Sequence, residues 1–102
     1  MKNPIPALAT AALVLASAGP AFAQDAAQVR SWAASCANCH GTNGVAQPGM
    51  ETLAGMRRED LITKMLDFKN GRKPATVMHQ LSKGYSDEQI AAIAGYFAAQ
   101  KR

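Results

Sequence analysis

Apolar positions along the chain recur at helical spacing. Leu61, Ile62, Met65, Leu66 and Phe68 give residues 58–69 one apolar side. Gly71 is a natural stop for that helix, and Pro74 makes residues 71–77 an extended connector. A short helical turn follows over residues 78–83 and ends at Gly84. The last helix has the clearest start: Ser86 and Gln89 fit a capping box, and Asp87 and Glu88 suit the positive end of the helix dipole. Ile90, Ile93, Ala94 and Phe97 then repeat on one face, with Lys101 and Arg102 at the negative end. Upstream, Asp25 is the expected N-cap of a helix whose face is Val29, Trp32, Ala33 and Cys36. That helix should end near the cysteines. Gly41, Gly44, Pro48 and Gly49 then mark a loop running to about Gly55. No segment of 24–102 alternates with period two, so the expected fold class is all-α, in one domain without repeats.

The apolar run at the N-terminus has a different meaning. Lys2 is followed by ALATAALVLASA over residues 7–18, and Ala21-Phe22-Ala23 places small residues where a signal peptidase reads. Residues 1–23 are thus expected to be a cleaved secretory signal, with residues 24–102 the mature domain. An uncleaved anchor is the alternative, but Pro4, Pro6 and Pro20 interrupt the run, and its apolar part is shorter than the roughly 20 residues that span a bilayer. The mature chain should be exported, to the periplasm in a Gram-negative cell, without membrane insertion.

Composition sharpens the question. The whole chain has 102 residues, 48% apolar, with a formal charge of +4. Without residues 1–23 it keeps 79 residues with ten basic and seven acidic side chains, and many of its apolar residues are Ala. A domain of that size seldom builds a sufficient core from its own side chains. A cofactor, metal, disulfide or partner has to supplement it.

The supplement is written in Cys36-Ala-Asn-Cys39-His40. Two cysteines three apart lie about one helical turn from each other, so their thiols can add to the two vinyl groups of one haem. His40 is then placed beneath the iron, where Nε2 can coordinate. This spacing is the attachment signature of c-type haem. A thioredoxin-like redox pair belongs on a βαβ framework, which this pattern lacks. A zinc site from Cys36, Cys39, His40 and His79 has the right count, but adjacent Cys39 and His40 are poorly spaced for a tetrahedron. Six-coordinate iron needs another ligand from Met50, Met56, Met65, Met78 or His79. Met65 sits on the apolar face of a helix and reads as core; Met50 and Met56 read as packing or surface residues of the loop. Met78 follows a long excursion after His40 that can carry the chain to the opposite haem face, and is the preferred ligand. His79 beside it would give bis-His ligation instead.

At this point the chain resembles a class I cytochrome c over essentially all of 24–102. The resemblance rests on Cys36-Ala-Asn-Cys39-His40-Gly41, Leu53-Ala-Gly55, the Met78 segment and the ending Gly95-Tyr96-Phe97-Ala98. The stretch from Lys69 to Met78, followed by Lys83-Gly-Tyr-Ser-Asp-Glu, is similar to the monohaem cytochrome subunit of flavocytochrome c sulfide dehydrogenases and to related short periplasmic cytochromes. The resemblance implies three to four helices wrapped around one haem, held covalently through two thioethers. It also implies a flavoprotein subunit that oxidises sulfide and passes electrons to the haem. It further implies that the first and last helices cross near the haem edge, with Ala33 and Gly95 small enough for close approach and Tyr96 or Phe97 beside them. Trp32 is a core or haem-edge residue. Related cytochromes often carry Pro two residues before the Leu of the Leu-x-Gly segment, where the carbonyl orients the ligating His. Glu51 occupies that position here, and a carbonyl partner for His40 Nδ1 is still expected.

These readings converge on electron transfer through iron ligated by His40 and Met78, with no catalytic residues. Val45, Leu53, Leu61, Met65, Leu81, Ile93 and Phe97 are the expected apolar shell. Lys64, Lys69, Arg72, Lys73 and Lys83 flank the Met78 segment, where they would either steer an acidic partner or form a solvated surface, and Arg72 is a candidate for a haem propionate. The chain is then a subunit bound to a flavoprotein or a free monomeric shuttle between oxidoreductases. A haem enzyme or gas sensor with open iron is the alternative from another class. Nucleic-acid binding is excluded by the modest charge and the absence of a recognition motif.

Overall fold

The computed structural model describes residues 2–4 and 25–102. The expected signal segment, including residues 7–18 and Ala21 to Ala23, lies outside the described residues. Among the described residues the regular structure is helical: α1 Ala26–Ala34, α2 Ala37–His40, α3 Arg58–Lys69, α4 Met78–Lys83 and α5 Asp87–Ala98, with a 3₁₀ turn at Thr42–Gly44. No described helix is long and apolar enough to cross a membrane.

Local chemistry sets the boundaries. Asp25 caps α1 by accepting from Ala27 N at 3.1 Å. The capping box of α5 is complete, with Gln89 N donating to Ser86 Oγ at 3.1 Å and Ser86 N to Gln89 Oε1 at 2.9 Å. Helix α3 has Glu59 and Asp60 in its first turn and Lys69 in its last, both matched to the dipole. The pattern over 58–69 and 78–83 therefore ends where the spacing and the Gly positions predict. One difference concerns the first helix. It closes at Ala34, and the cysteine motif occupies a separate four-residue turn, α2.

Helix α3 packs on both α4 and α5, and α1 packs on α5. Ala33, Leu61, Ile93, Ala94 and Phe97 form the buried cluster, with Trp32, Leu53, Met56, Ile62, Tyr85 and Tyr96 partly buried against it. Trp32 is thus a core residue. Ala33 is buried as expected. A Cβ built at Gly95 meets only the Arg58 side chain, at 3.6 Å. The tight glycine is Gly44, at φ +82°, where a Cβ would lie 2.7 Å from Phe97 Cδ1 and 2.9 Å from Ala54 N. Arg102 also departs from the dipole reading. It lies beyond α5 and donates from Nε to Ala54 O at 3.1 Å.

Candidate functional site

Cys36 stands at the N-cap of α2, and His40 N donates to Cys36 O at 2.9 Å. One turn of backbone therefore presents Cys36, Cys39 and His40 together. Gly41 leads the chain away at φ +82°, where a Cβ would fall 1.9 Å from Val45 O. The two cysteines are not joined in a disulfide, and Cys36 is half-buried and Cys39 exposed. Burial pushes the Cys36 thiol above its ordinary range, partly offset by hydrogen bonding from Ser35.

All three motif residues line one predominantly apolar cavity of about 360 Å³. Met78 and Leu81 of α4 line it too, as do Leu61 and Met65 of α3, Ile93 and Phe97 of α5, and Leu53. Six of the seven expected shell residues are thus brought together. Val45 is not among them and is 45% exposed. Met50, read from the sequence as packing or surface, lines the cavity, whereas Met56 packs against the core cluster. Met65 does both jobs: it lines the cavity and its sulfur lies 3.8 Å from the hydroxyl of fully buried Ser82. Ser82 also donates to Met78 O at 2.5 Å, which fixes the first turn of α4.

The two nitrogens of His40 have different roles. Nδ1 lies 2.7 Å from Glu51 O, so it carries the proton, and Nε2 is left as the free donor atom. The carbonyl comes from Glu51, at the position where the cytochromes that the chain resembles often have Pro. His79, the alternative ligand, is not in the cavity wall: Nε2 bonds to Lys73 O, and its ring sits 6.3 Å from that of Phe68. No three His, Cys, Asp or Glu side chains among the described residues are grouped to hold a metal ion. The donor set is two thiols on one turn, an imidazole nitrogen and a thioether, in a predominantly apolar cavity. That set fits haem c.

The basic residues are largely committed elsewhere. Lys64 pairs with Glu51. Lys69 pairs with Asp87 at 2.8 Å, and Arg72 Nε with Asp67 at 3.1 Å. Lys73 Nζ lies 5.6 Å from the Phe68 ring centroid. Lys64, Lys69 and Arg72 are thus each paired with a carboxylate, Arg72 with one on α3. The mouth is apolar instead: Val77, Leu81 and Met50 are 56%, 53% and 46% exposed.

Tyr85, Phe68 and Thr76 line the cavity and were not among the expected shell residues. Tyr85 Oη lies 2.7 Å from Ser35 Oγ, next to Cys36. A residue in a short connector carries no periodic signal, so Tyr85 had none to read. Phe68 did have one, since it shares the apolar side of 58–69.

A helical fold around an apolar cavity, with the haem-attachment turn in its wall, defines a c-type cytochrome. Residues 23–97 match the family described as cytochrome c oxidase, cbb3-type, subunit III, and the chain belongs to that cytochrome c family. It is 44% identical over 63 residues to the cytochrome subunit of sulfide dehydrogenase of Chlorobaculum tepidum, covering 62% of this chain and 57% of that one. It is 40% identical to cytochrome c4 of Pseudomonas aeruginosa over 80 residues, covering 78% of this chain and 40% of that one. Cytochrome c-553 of Helicobacter pylori is 37% identical over 103 residues, covering 99% of this chain and all of that one. The chain thus spans about half the length of the first two relatives. Family membership implies covalently bound haem c and a role in electron transfer.

Proposed function

We propose that this chain is an exported single-haem electron carrier in which Cys36 and Cys39 form the two thioethers and His40 and Met78 are the axial ligands. The observation that carries the reading is that α2 and α4 bring these four side chains to one apolar cavity. When bound, haem c supplies one-electron exchange between ferric and ferrous iron. The chain's own residues set the conditions. Glu51 O holds the proton on His40 Nδ1 and so fixes the tautomer that offers Nε2. The Met78 thioether is a soft ligand that favours the ferrous state and raises the potential. Leu53, Leu61, Ile93 and Phe97 exclude water, and a dry site disfavours added charge. On this reading His40 and Met78 would both be held by the iron, and the chain would act as a carrier without a catalytic site of its own.

The residues 1–23 are read as a cleaved signal and 24–102 as the periplasmic domain, consistent with thioether formation outside the cytoplasm. The donor is read as a flavoprotein subunit of sulfide-dehydrogenase type, supported by the similarity to the Chlorobaculum tepidum protein and by the exposed apolar Val77 and Leu81. A free shuttle is the second reading, favoured by the end-to-end match to cytochrome c-553. Purification from the native cell separates them. Co-elution with a flavin-containing chain supports the subunit, and a lone red monomer supports the shuttle. C36A and C39A test the attachment: each should weaken or abolish covalent haem, and full retention in both overturns the assignment. Ready binding of carbon monoxide by the ferrous protein would favour the open-iron alternative instead.

A further inference from the structure

The carbonyl that orients His40 belongs to a residue without regular secondary structure. Glu51 lies between Gly49, at φ +94°, and Leu53, whose N–H donates to Gly44 O at 2.8 Å. In the related cytochromes a Pro at this point locks φ, so the carbonyl is stiff by covalent structure. Glu51 has no such ring. Its carboxylate is instead paired with Lys64 Nζ. Lys64 is rooted in α3, whose Leu61 and Met65 line the same cavity as His40. Glu51 and Lys64 also line that cavity. A helix that forms the wall therefore reaches out and holds the residue whose backbone aims the imidazole.

We infer that Lys64 is a positioning residue for His40, acting through the Glu51 side chain in place of the stiffness a proline would give. The inference rests on the reading of His40 as an iron ligand. The pair is partly exposed, with side-chain accessibilities of 33% for Lys64 and 49% for Glu51, so its effect is modest. Its range of about 0.2–1 kcal/mol corresponds at most to roughly a 1.4- to fivefold change in how often the carbonyl lets go of Nδ1–H.

The test uses the haem-loaded protein and reads hydrogen exchange of the His40 Nδ1 proton by NMR in the ferrous state. K64A should speed exchange about 1.4- to fivefold, and K64R should hold it at the wild-type rate. Lys83 is exposed and lies outside the observed ion pairs, so K83A removes the same charge without touching Glu51 and should leave exchange unchanged. Glu51 N is not among the backbone donors found, so E51P removes no backbone hydrogen bond and should restore protection in the K64A background. Wild-type exchange in K64A, equal acceleration in K83A, or failure of E51P to rescue K64A would each overturn the tether. The underlying ligation is read separately in the ferric protein. His40 ring protons without a hyperfine shift would overturn the ligand assignment, whereas shifted protons with an unresponsive K64A would overturn the Lys64 role alone.

Discussion

Lys69 Nζ donates to Asp87 Oδ1 at 2.8 Å and so joins the last turn of α3 to the first turn of α5. The same ammonium donates to Tyr85 O at 2.8 Å. Residues 70–86 leave and return at this clasp, and they carry Met78. The Lys69 side chain is 26% exposed, so its bonds are less screened than those of a free surface pair. K69M should cost about 1 kcal/mol of stability in denaturant unfolding. It should also let added imidazole displace Met78 from ferric iron about fivefold more readily, because 1 kcal/mol is roughly that ratio. The methionine–ferric charge-transfer band measures the displacement. Wild-type affinity for imidazole would show that α4 packing, not the clasp, holds the segment.

M78A should give high-spin or exogenously ligated iron with a lower potential, since the soft sulfur that favours ferrous iron is gone. His79 should not take its place. Its Nε2 is bonded to Lys73 O and its ring stands against Phe68, outside the cavity wall. Recruiting it would require α4 to turn and that bond to break. The M78A and M78A/H79A spectra should therefore be alike. A low-spin bis-His spectrum in M78A that H79A abolishes would contradict this account.

Helix positions were legible because their signals are local. Ser86 and Gln89 meet within one turn, and the apolar spacing of 58–69 needs no knowledge of its neighbours. The cavity residues Leu61, Ile93 and Phe97 were legible for the same reason, since a helix in so small a domain has one inner side. What stayed hidden depends on tertiary pairing. Only the family resemblance pointed to a carbonyl near Glu51 for His40, and nothing in the order of residues says that Tyr85 reaches Ser35 across 50 positions. The pairing of the charges was hidden on the same ground. Lys64, Lys69 and Arg72 look like a basic patch in sequence, and each finds a carboxylate in space.

That pairing bears on partner docking. With three of the five flanking cations neutralised and Val77, Leu81 and Met50 exposed, the face around the cavity is apolar more than basic. Electrostatic steering raises association rates by 10- to 10³-fold when a strong field is present, and it collapses with salt. The second-order rate of electron transfer to an acidic acceptor should here fall by less than about tenfold between low and physiological ionic strength. Stopped-flow rates across a salt series measure it. A fall of a hundredfold or more would restore the basic-ring account.

Gly44 makes the last prediction, because two kinds of cost meet at one residue. Its φ of +82° is a left-handed conformation that Ala adopts only at roughly 1–2 kcal/mol. A Cβ there would also press on Phe97 Cδ1 at 2.7 Å and Ala54 N at 2.9 Å, the latter a backbone atom that cannot swing aside. Phe97 belongs to the buried cluster and lines the cavity, so displacing its ring disturbs both. G44A should lose about 2–4 kcal/mol, the conformational cost plus overpacking. Gly49 supplies the control. It has φ +94° but nothing within 4 Å of its Cβ position, so G49A should lose about 1–2 kcal/mol, from conformation alone. Guanidinium unfolding of the haem-loaded proteins compares the two. Equal losses would show that Phe97 and Ala54 yield to the added methyl and that only the backbone requires glycine.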